Sequence, residues 1–470
     1  MANIDPYILK HLSQMQPDLY WLDSDPLEPQ PHALLVGDVT TDLCVVGAGY
    51  TGLWTALIAK QRNPEREVII IEKKWTGAGA SGRNGGFCNT SLTHGFANGY
   101  ARFKDEMPII ERLGRENMDA IETTIREFGI ECDWQRTGEL RVADAEWLMP
   151  QLAEEARLRN EYGDHVEVLS QEETQARIAS PTYKGALWDP DGTALVDPAR
   201  LVWGLERACL KLGVKIYENS EVTRLERTEE GMIVHSPYGS IYAQKVALAT
   251  NVFPSLVRSA RKYVVPVYDF QLVTEPLTPQ QHDAIGWKGR EGISESRNQF
   301  HYYRMTADGE ILWGGYDAIY NFRGKVREEY ETSADTYAQL AADFLETFPQ
   351  LKGIKFTHGW GGAIDTCSRF SPFWGTAHKG RVAYVLGFTG LGVAATRFGA
   401  DVMLDLLDDL DTERTALKMV RKKPLPFPPE PLRWFFIRLT QWSIYRADHH
   451  EGKRNLWLRF LDSIGLGFDS

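Results

Sequence analysis

The sequence predicts a chain of mixed α/β and α+β class. Three observations carry that prediction. Residues 42–72 read as strand, glycine turn, helix and strand. Residues 214–317 hold many short strands instead of further strand–helix repeats. Residues 381–410 then return to strand, glycine turn and helix. The chain has 470 residues, enough for two or three domains or one large interleaved unit with a sizeable core.

The elements follow in order. Residues 1–40 are punctuated by Pro26, Pro29 and Pro31 and carry Tyr20 and Trp21, which predicts an extended, surface-laid lead-in. Residues 42–46 (DLCVV) are a short run that is apolar after Asp42, as a buried parallel strand requires. A helix is expected over 50–62 and a second buried strand over 67–72. Residues 110–130 are an amphipathic helix stopped near Gly129. Pro198 suits the first turn of a helix over 198–212. Short strands are expected at 214–218, 221–228, 232–236 and 245–250, with a turn at 237–239. Further strands fall at 264–276 and 309–317, and a helix at 331–348. A strand at 381–387 feeds a glycine turn and a last helix to about Leu410.

Net charge is −12, which argues against broad nucleic-acid binding because phosphate neutralisation needs basic surface. The five cysteines, Cys44, Cys88, Cys132, Cys209 and Cys367, form no CxxC and imply neither a disulfide framework nor a zinc site. No apolar h-region opens the chain and no run approaches a membrane span, so the reducing cytoplasm is the expected compartment. Residues 421–470 depart from the rest: nine Lys/Arg against five Asp/Glu make them +4, leaving −16 for the first 420 residues. This tail holds nine aromatics behind a connector of Pro424, Pro426, Pro428, Pro429 and Pro431. Residues 432–446 are a candidate amphipathic helix for packing on the body, for subunit contact or for a membrane surface.

The strongest local signal is GAGYTG at 47–52, between a strand and a helix. Gly47 makes the tight turn, Gly49 lets backbone approach a pyrophosphate, and Gly52 lets helix and strand pack closely. Glu72, ending the second strand, is placed to bind ribose hydroxyls and disfavours a 2′-phosphate. Together they predict a Rossmann-like dinucleotide site, with Tyr50, Thr51 and Lys73 beside these positions. The chain then enters GAGASGRNGG at 77–86, where Gly79, Ser81, Arg83, Asn84 and Gly85 bring successive backbone N–H groups towards an anion or ring.

GAGYTG, Glu72 and GASGRNGG in this order resemble the D-amino-acid-oxidase/glycine-oxidase family of FAD oxidoreductases, and within it the γ-glutamylputrescine-oxidoreductase-like members. Tyr20–Ser24, the 196–198 and 246–251 stretches, the 304–309 turn and GFTGLG at 387–392 extend the resemblance over most of residues 18–410. The resemblance implies an FAD-binding domain built from 36–100, 190–260 and 355–412. It implies a mixed-sheet substrate domain from 101–189 and 261–354, leaving 1–35 as lead-in and 413–470 as connector and tail. It places Val222 on the adenine side and Thr250 among the cofactor-binding residues. It places Gly387, Thr389, Gly390, Leu391 and Gly392 under the flavin pyrimidine, where a helix N-terminus stabilises negative charge. Where some relatives attach flavin through cysteine this sequence has Gly362, with Cys367 five residues on, and Arg83 and Asn84 stand where others use histidine; non-covalent FAD is the expectation.

Amino-acid-oxidising relatives clamp the α-carboxylate with arginine. Two such positions read Asn89 and Ile364 here, leaving Arg83, Arg304 and Arg369 as substitutes. Asp317 is the candidate for a substrate ammonium. Tyr268, Phe270, Tyr302 and Trp313 are candidates for an aromatic wall, with His94 and His301 of lower weight and no metal pattern. The expected function is FAD-dependent oxidation of an amine C–N bond by hydride transfer to flavin N5, then imine hydrolysis. O2, a quinone or an acceptor protein reoxidises the flavin; no lysine lies between Tyr302 and Arg323 to promote the O2 step. The alternatives are a D-amino-acid, glycine or aminophosphonate oxidase, and a non-catalytic flavoprotein subunit. Expected partners are a small-molecule amine and, through the tail, a second copy or a peripheral surface.

Overall fold

The computed structural model describes residues 5–23 and 31–467. Two eight-stranded sheets organise the chain. In the first, Gly37–Val46 lies between Gly239–Leu248 and Val68–Ile71, all parallel. Lys215–Tyr217 extends it on one side and Val382–Leu386 on the other, also parallel, with Phe373–Ala377 antiparallel at the edge. A hairpin of Arg224–Arg227 and Met232–Ser236 pairs with Gly239–Leu248. The central strands are buried on both faces, which is why 43–46 and 68–71 read as unbroken apolar runs. Helices Tyr50–Arg62, Pro198–Lys211 and Gly392–Leu407 contribute to the core beside that sheet.

The second sheet runs Phe356–Cys367, Val264–Thr274, Ile311–Gly315, His301–Met305, Gly292–Glu295, Glu139–Ala143, Gly185–Asp189 and Glu167–Ser170. All its pairings are antiparallel except that of Gly292–Glu295 with Glu139–Ala143. One face buries Tyr268, Phe270, Leu272, Tyr303 and Trp313 against Tyr337, Leu340 and Phe344 of helix Ala334–Thr347. The chain crosses between the two sheets repeatedly, so the fold is interleaved. Two elements pack differently from the sequence boundaries. Helix Met107–Phe128, ended by Gly129 at φ 63°, joins the first core through Ile110, Met118, Ile121 and Ile125. Strand Phe356–Cys367 belongs to the second sheet.

The lead-in corrects an expectation. It forms helices Pro6–His11 and Tyr20–Asp23, and Leu19, Tyr20 and Trp21 are buried. Apolar burial of residues 19–21 and the hydrogen bond from Trp21 Nε1 to the Asn84 carbonyl at 2.9 Å hold this segment against the body. Ser24, Pro26 and Pro29 lie outside the described residues, as does Phe468 of the tail. Helices Leu432–Asp448 and Leu456–Ser463 form a C-terminal pair. Among the described residues no helix is long and apolar enough to cross a membrane.

Candidate active site

The glycine turn sits at the carboxyl ends of the parallel strands. Gly47 adopts φ 109°, and a Cβ there would lie 2.6 Å from the Ala249 carbonyl oxygen. At Gly52 a Cβ would lie 1.8 Å from the Gly47 carbonyl oxygen, so no side chain fits. Gly49 caps helix Tyr50–Arg62 with no side-chain hydrogen bond, which leaves helix N–H groups for an anion. Glu72 accepts from Ala48 N at 2.8 Å and Lys74 N at 2.9 Å, and burial raises its pKa. Ser81 Oγ accepts from Tyr50 N at 2.9 Å, tying the 77–86 loop to the turn. Thr250 Oγ1 is buried without a partner, and Val222 packs at the edge of the same sheet. Thr51 is buried in the helix, whereas Lys73 Nζ reaches out to Glu221 at 2.9 Å.

The 77–86 loop is fixed from the second sheet. Trp360 Nε1 and Gln271 Nε2 both donate to the Arg83 carbonyl, at 2.9 and 3.2 Å. Arg83 itself pairs with Glu331 at 2.7 Å, and Asn84 Oδ1 accepts from Gly86 N at 2.9 Å. Across the sheets, the Gly387–Gly392 turn is pinned by Asp365, whose Oδ2 accepts from Gly387 N at 2.6 Å. Burial pushes the Asp365 carboxyl up to about 7. Helix Gly392–Leu407 starts with no side-chain cap, and Thr389 and Gly390 both hold positive φ.

A cavity of about 1070 Å³ lies between these features and the second sheet. Tyr50, Ser81, Arg83, Asn84, Gly85, Thr389, Gly390, Leu391 and Gly392 line it. Gly79 lies off the lining, near Phe253. The sheet contributes alternate residues: Val265, Val267, Asp269 and Gln271 from one strand, and Tyr302 and Ser294 from the strands two and three places along the sheet. Tyr302 is wedged between two glycines. A Cβ would stand 2.7 Å from its ring at Gly85 and 2.8 Å at Gly314. Its hydroxyl donates to Asp269 Oδ2 at 2.6 Å. Burial pushes the Asp269 carboxyl up to about 6 and holds the Tyr302 phenol well above its usual range.

Sequence reasoning missed Asp269. The strand's period of two puts its polar residues, Asp269 and Gln271, on the side opposite Tyr268 and Phe270, and that alternation was the available signal. It also explains three corrections. Tyr268 and Trp313 point to the core under helix Ala334–Thr347, not to the cavity, as does Phe270. Arg304 is buried outside the cavity, where its guanidinium donates to the Val196 carbonyl and lies over the Trp21 ring. Arg369 is likewise spent on backbone carbonyls, of Ser371, Pro372, Met419 and Lys422. Asp317 does line the cavity, with Oδ2 3.4 Å from Thr336 Oγ1, and burial raises its pKa. Asn89 and Ile364 line it too; Asn89 donates to Glu139 at 3.0 Å and Thr193 at 2.8 Å. His94 lines the wall, its pKa lowered by burial to about 4. His301 stacks between Trp313 and Tyr316; burial opposes its charge, but Glu295 and Asp343 prevail and raise its pKa to about 10.

The C-terminal pair closes one side: Phe436, Gln441, Trp442, Tyr445, Trp457 and Phe460 are in the lining. Truncation at Lys423 is therefore expected to raise KM at least tenfold, about 1.4 kcal/mol of lost contact, measured by steady-state kinetics on material of unchanged flavin content.

The uncapped helix starts, the Cβ-intolerant glycine cradle and the unpartnered Thr250 hydroxyl fit a dinucleotide with its ring system at the cavity. Fold and site thus define a flavin-dependent oxidoreductase. The comparisons agree: residues 42–406 match the DAO family, "FAD dependent oxidoreductase", and the chain belongs to it. It is 30% identical to the Escherichia coli gamma-glutamylputrescine oxidoreductase over 400 residues, covering 82% of this chain and 87% of that one. It is 28% identical to a probable oxidoreductase OrdL of Haemophilus influenzae over 378 residues, covering 78% of this chain and 82% of that one. Glycine oxidase from Geobacillus kaustophilus shares the fold, with TM-score 0.68 and 19% identity over 82% of this chain and 99% of that one.

Proposed function

We propose that this enzyme oxidises the C–N bond of an amine that carries no α-carboxylate. One observation carries the reading. The lining guanidiniums outside the C-terminal helices are already paired with carboxylates, while Asp269, Tyr302 and Asp317 face the space. Arg83 pairs with Glu331, Arg141 with Glu155, and Arg159 with Asp164 and Asp189. Arg433 donates to the Pro428 carbonyl and Arg438 to Gln441. A substrate carboxylate would have to break one of these pairs or remain unpaired, whereas an ammonium meets carboxylates.

FAD would be held by the Gly47, Gly49 and Gly52 turn at its pyrophosphate, by Glu72 at a ribose, and by the 77–86 loop and Thr389–Gly392 at its ring system. Bound FAD supplies the two-electron acceptor for the substrate's α-carbon hydride. Tyr302 Oη accepts an N–H of the bound amine and passes its own proton to Asp269 Oδ2. A carboxyl with pKa about 6 suits a base working near neutral pH. Deprotonation leaves the nitrogen lone pair to support hydride loss; water then hydrolyses the imine. Asp317 draws the cationic substrate in at the far wall. Non-covalent attachment is supported at the cysteines, since none of the five is in the cavity lining and all are buried.

The test is anaerobic bleaching of the flavin with primary and secondary amines, each matched to its α-carboxylated counterpart. The carboxylate-free member should reduce the flavin about a hundredfold faster, near 3 kcal/mol of unpaired charge. Faster bleaching by glycine or a D-amino acid would reject the reading.

A further inference from the structure

We propose that the outer faces of the two C-terminal helices dock on an anionic membrane surface. Large apolar side chains exposed on this protein are not scattered. Among the described residues twenty are exposed, and nine of them fall within residues 425–464, which marks a patch. On helix Leu432–Asp448, Phe435, Arg438, Trp442, Tyr445 and Arg446 recur every three or four residues and so share one face. On helix Leu456–Ser463, Leu456, Arg459 and Phe460 do the same, and Leu456 is 84% exposed. Phe436 and Trp457 stack at 5.4 Å between the helices, so the pair is a preformed unit. Trp434 meets the exposed Phe322 of the body at 6.4 Å, extending the patch.

Charge selects the occupant. Arg438, Arg446 and Arg459 are exposed between the aromatics, and none is in an ion pair among the described residues. Residues 421–470 carry +4 against −16 for the rest of the chain, so an anionic bilayer favours this end of the chain over the body. A second copy of the chain would bring like-charged arginines together across the contact. Tryptophan and tyrosine with arginine, on helices not long and apolar enough to span a bilayer, suit the headgroup boundary. Arg438, Trp442, Tyr445 and Phe460 also line the cavity, so docking sets the cavity beside the lipid surface and leaves Phe435, Arg446, Leu456 and Arg459 as the contacts outside it.

Full-length holoprotein should co-sediment with phosphatidylcholine vesicles containing phosphatidylglycerol and not with phosphatidylcholine alone, and raised salt should release it. Arg446→Gln and Arg459→Gln should each weaken partitioning about fivefold, and Phe435→Ser with Leu456→Ser should abolish it, at unchanged flavin absorbance. If anionic vesicles leave the wild type in the supernatant at low salt, the proposal fails. It also fails if the wild type is a dimer in solution that Phe435→Ser with Leu456→Ser dissociates, since the face would then join two copies.

Discussion

Gly52→Val is expected to give a colourless protein. The Cβ of any residue at 52 would lie 1.8 Å from the Gly47 carbonyl oxygen. That oxygen belongs to the turn itself, so relief requires opening the turn, and with it the row of N–H groups at the start of helix Tyr50–Arg62. Glu72 would lose its anchor as well, because its Oε2 is held by Ala48 N within the same turn. Overpacking of this kind costs about 1–3 kcal/mol in the fold. The larger loss is in cofactor binding, since the phosphate-binding geometry no longer forms. The measurement is the flavin-to-protein absorbance ratio of purified material after incubation with excess FAD and desalting. A wild-type ratio would mean that the cradle does not hold the cofactor.

Asp269→Asn should lower the rate of flavin reduction by an amine about a hundredfold or more, the usual scale for a lost general base. The change is nearly isosteric and keeps an oxygen to accept from Tyr302, so it removes charge and basicity rather than packing. Stability should move the other way. Burial raises the Asp269 pKa to about 6 from 3.8, so the folded state holds the proton more tightly than the unfolded chain. Its contribution to stability is then fully present below about pH 4 and lost as pH rises through about 6. Asparagine carries no charge to desolvate, so the variant should melt no lower than wild type at pH 8. A slow variant with an equal or higher melting temperature would separate chemistry from misfolding. Tyr302→Phe should cost about tenfold, and the double variant should cost less than the two together because both act on one proton.

The nucleotide half was legible because its signals are local. Gly52 is dictated by the Gly47 carbonyl five residues back; Gly47 meets Ala249 and Gly49 meets Ser81, but all three glycines stand in one recognisable turn, and Glu72 ends the same βαβ unit. The substrate half depends on which face of a strand meets the other sheet, and no local motif states that. In 264–274 both faces are apolar or aromatic at most positions, so Tyr268 and Phe270 resembled a cavity wall. The structure turns them under helix Ala334–Thr347 and gives the wall to Asp269 and Gln271. Arg304 was misread for a related reason: charge in a sequence does not show that a guanidinium will be consumed by the carbonyl of Val196, over a hundred residues away. The lead-in failed through distance as well, since Trp21 is held by the carbonyl of Asn84.

The most direct test of the account is the pH dependence of flavin reduction at saturating amine, followed by stopped-flow absorbance under anaerobic conditions, in wild type and Asp269→Asn. The wild-type rate should carry an ionisation near pH 6, rising as the carboxyl loses its proton, and the variant should lack that step. An identical profile in both proteins, or a wild-type rate that falls through pH 6, would contradict the assignment of Asp269 as the base that prepares the amine.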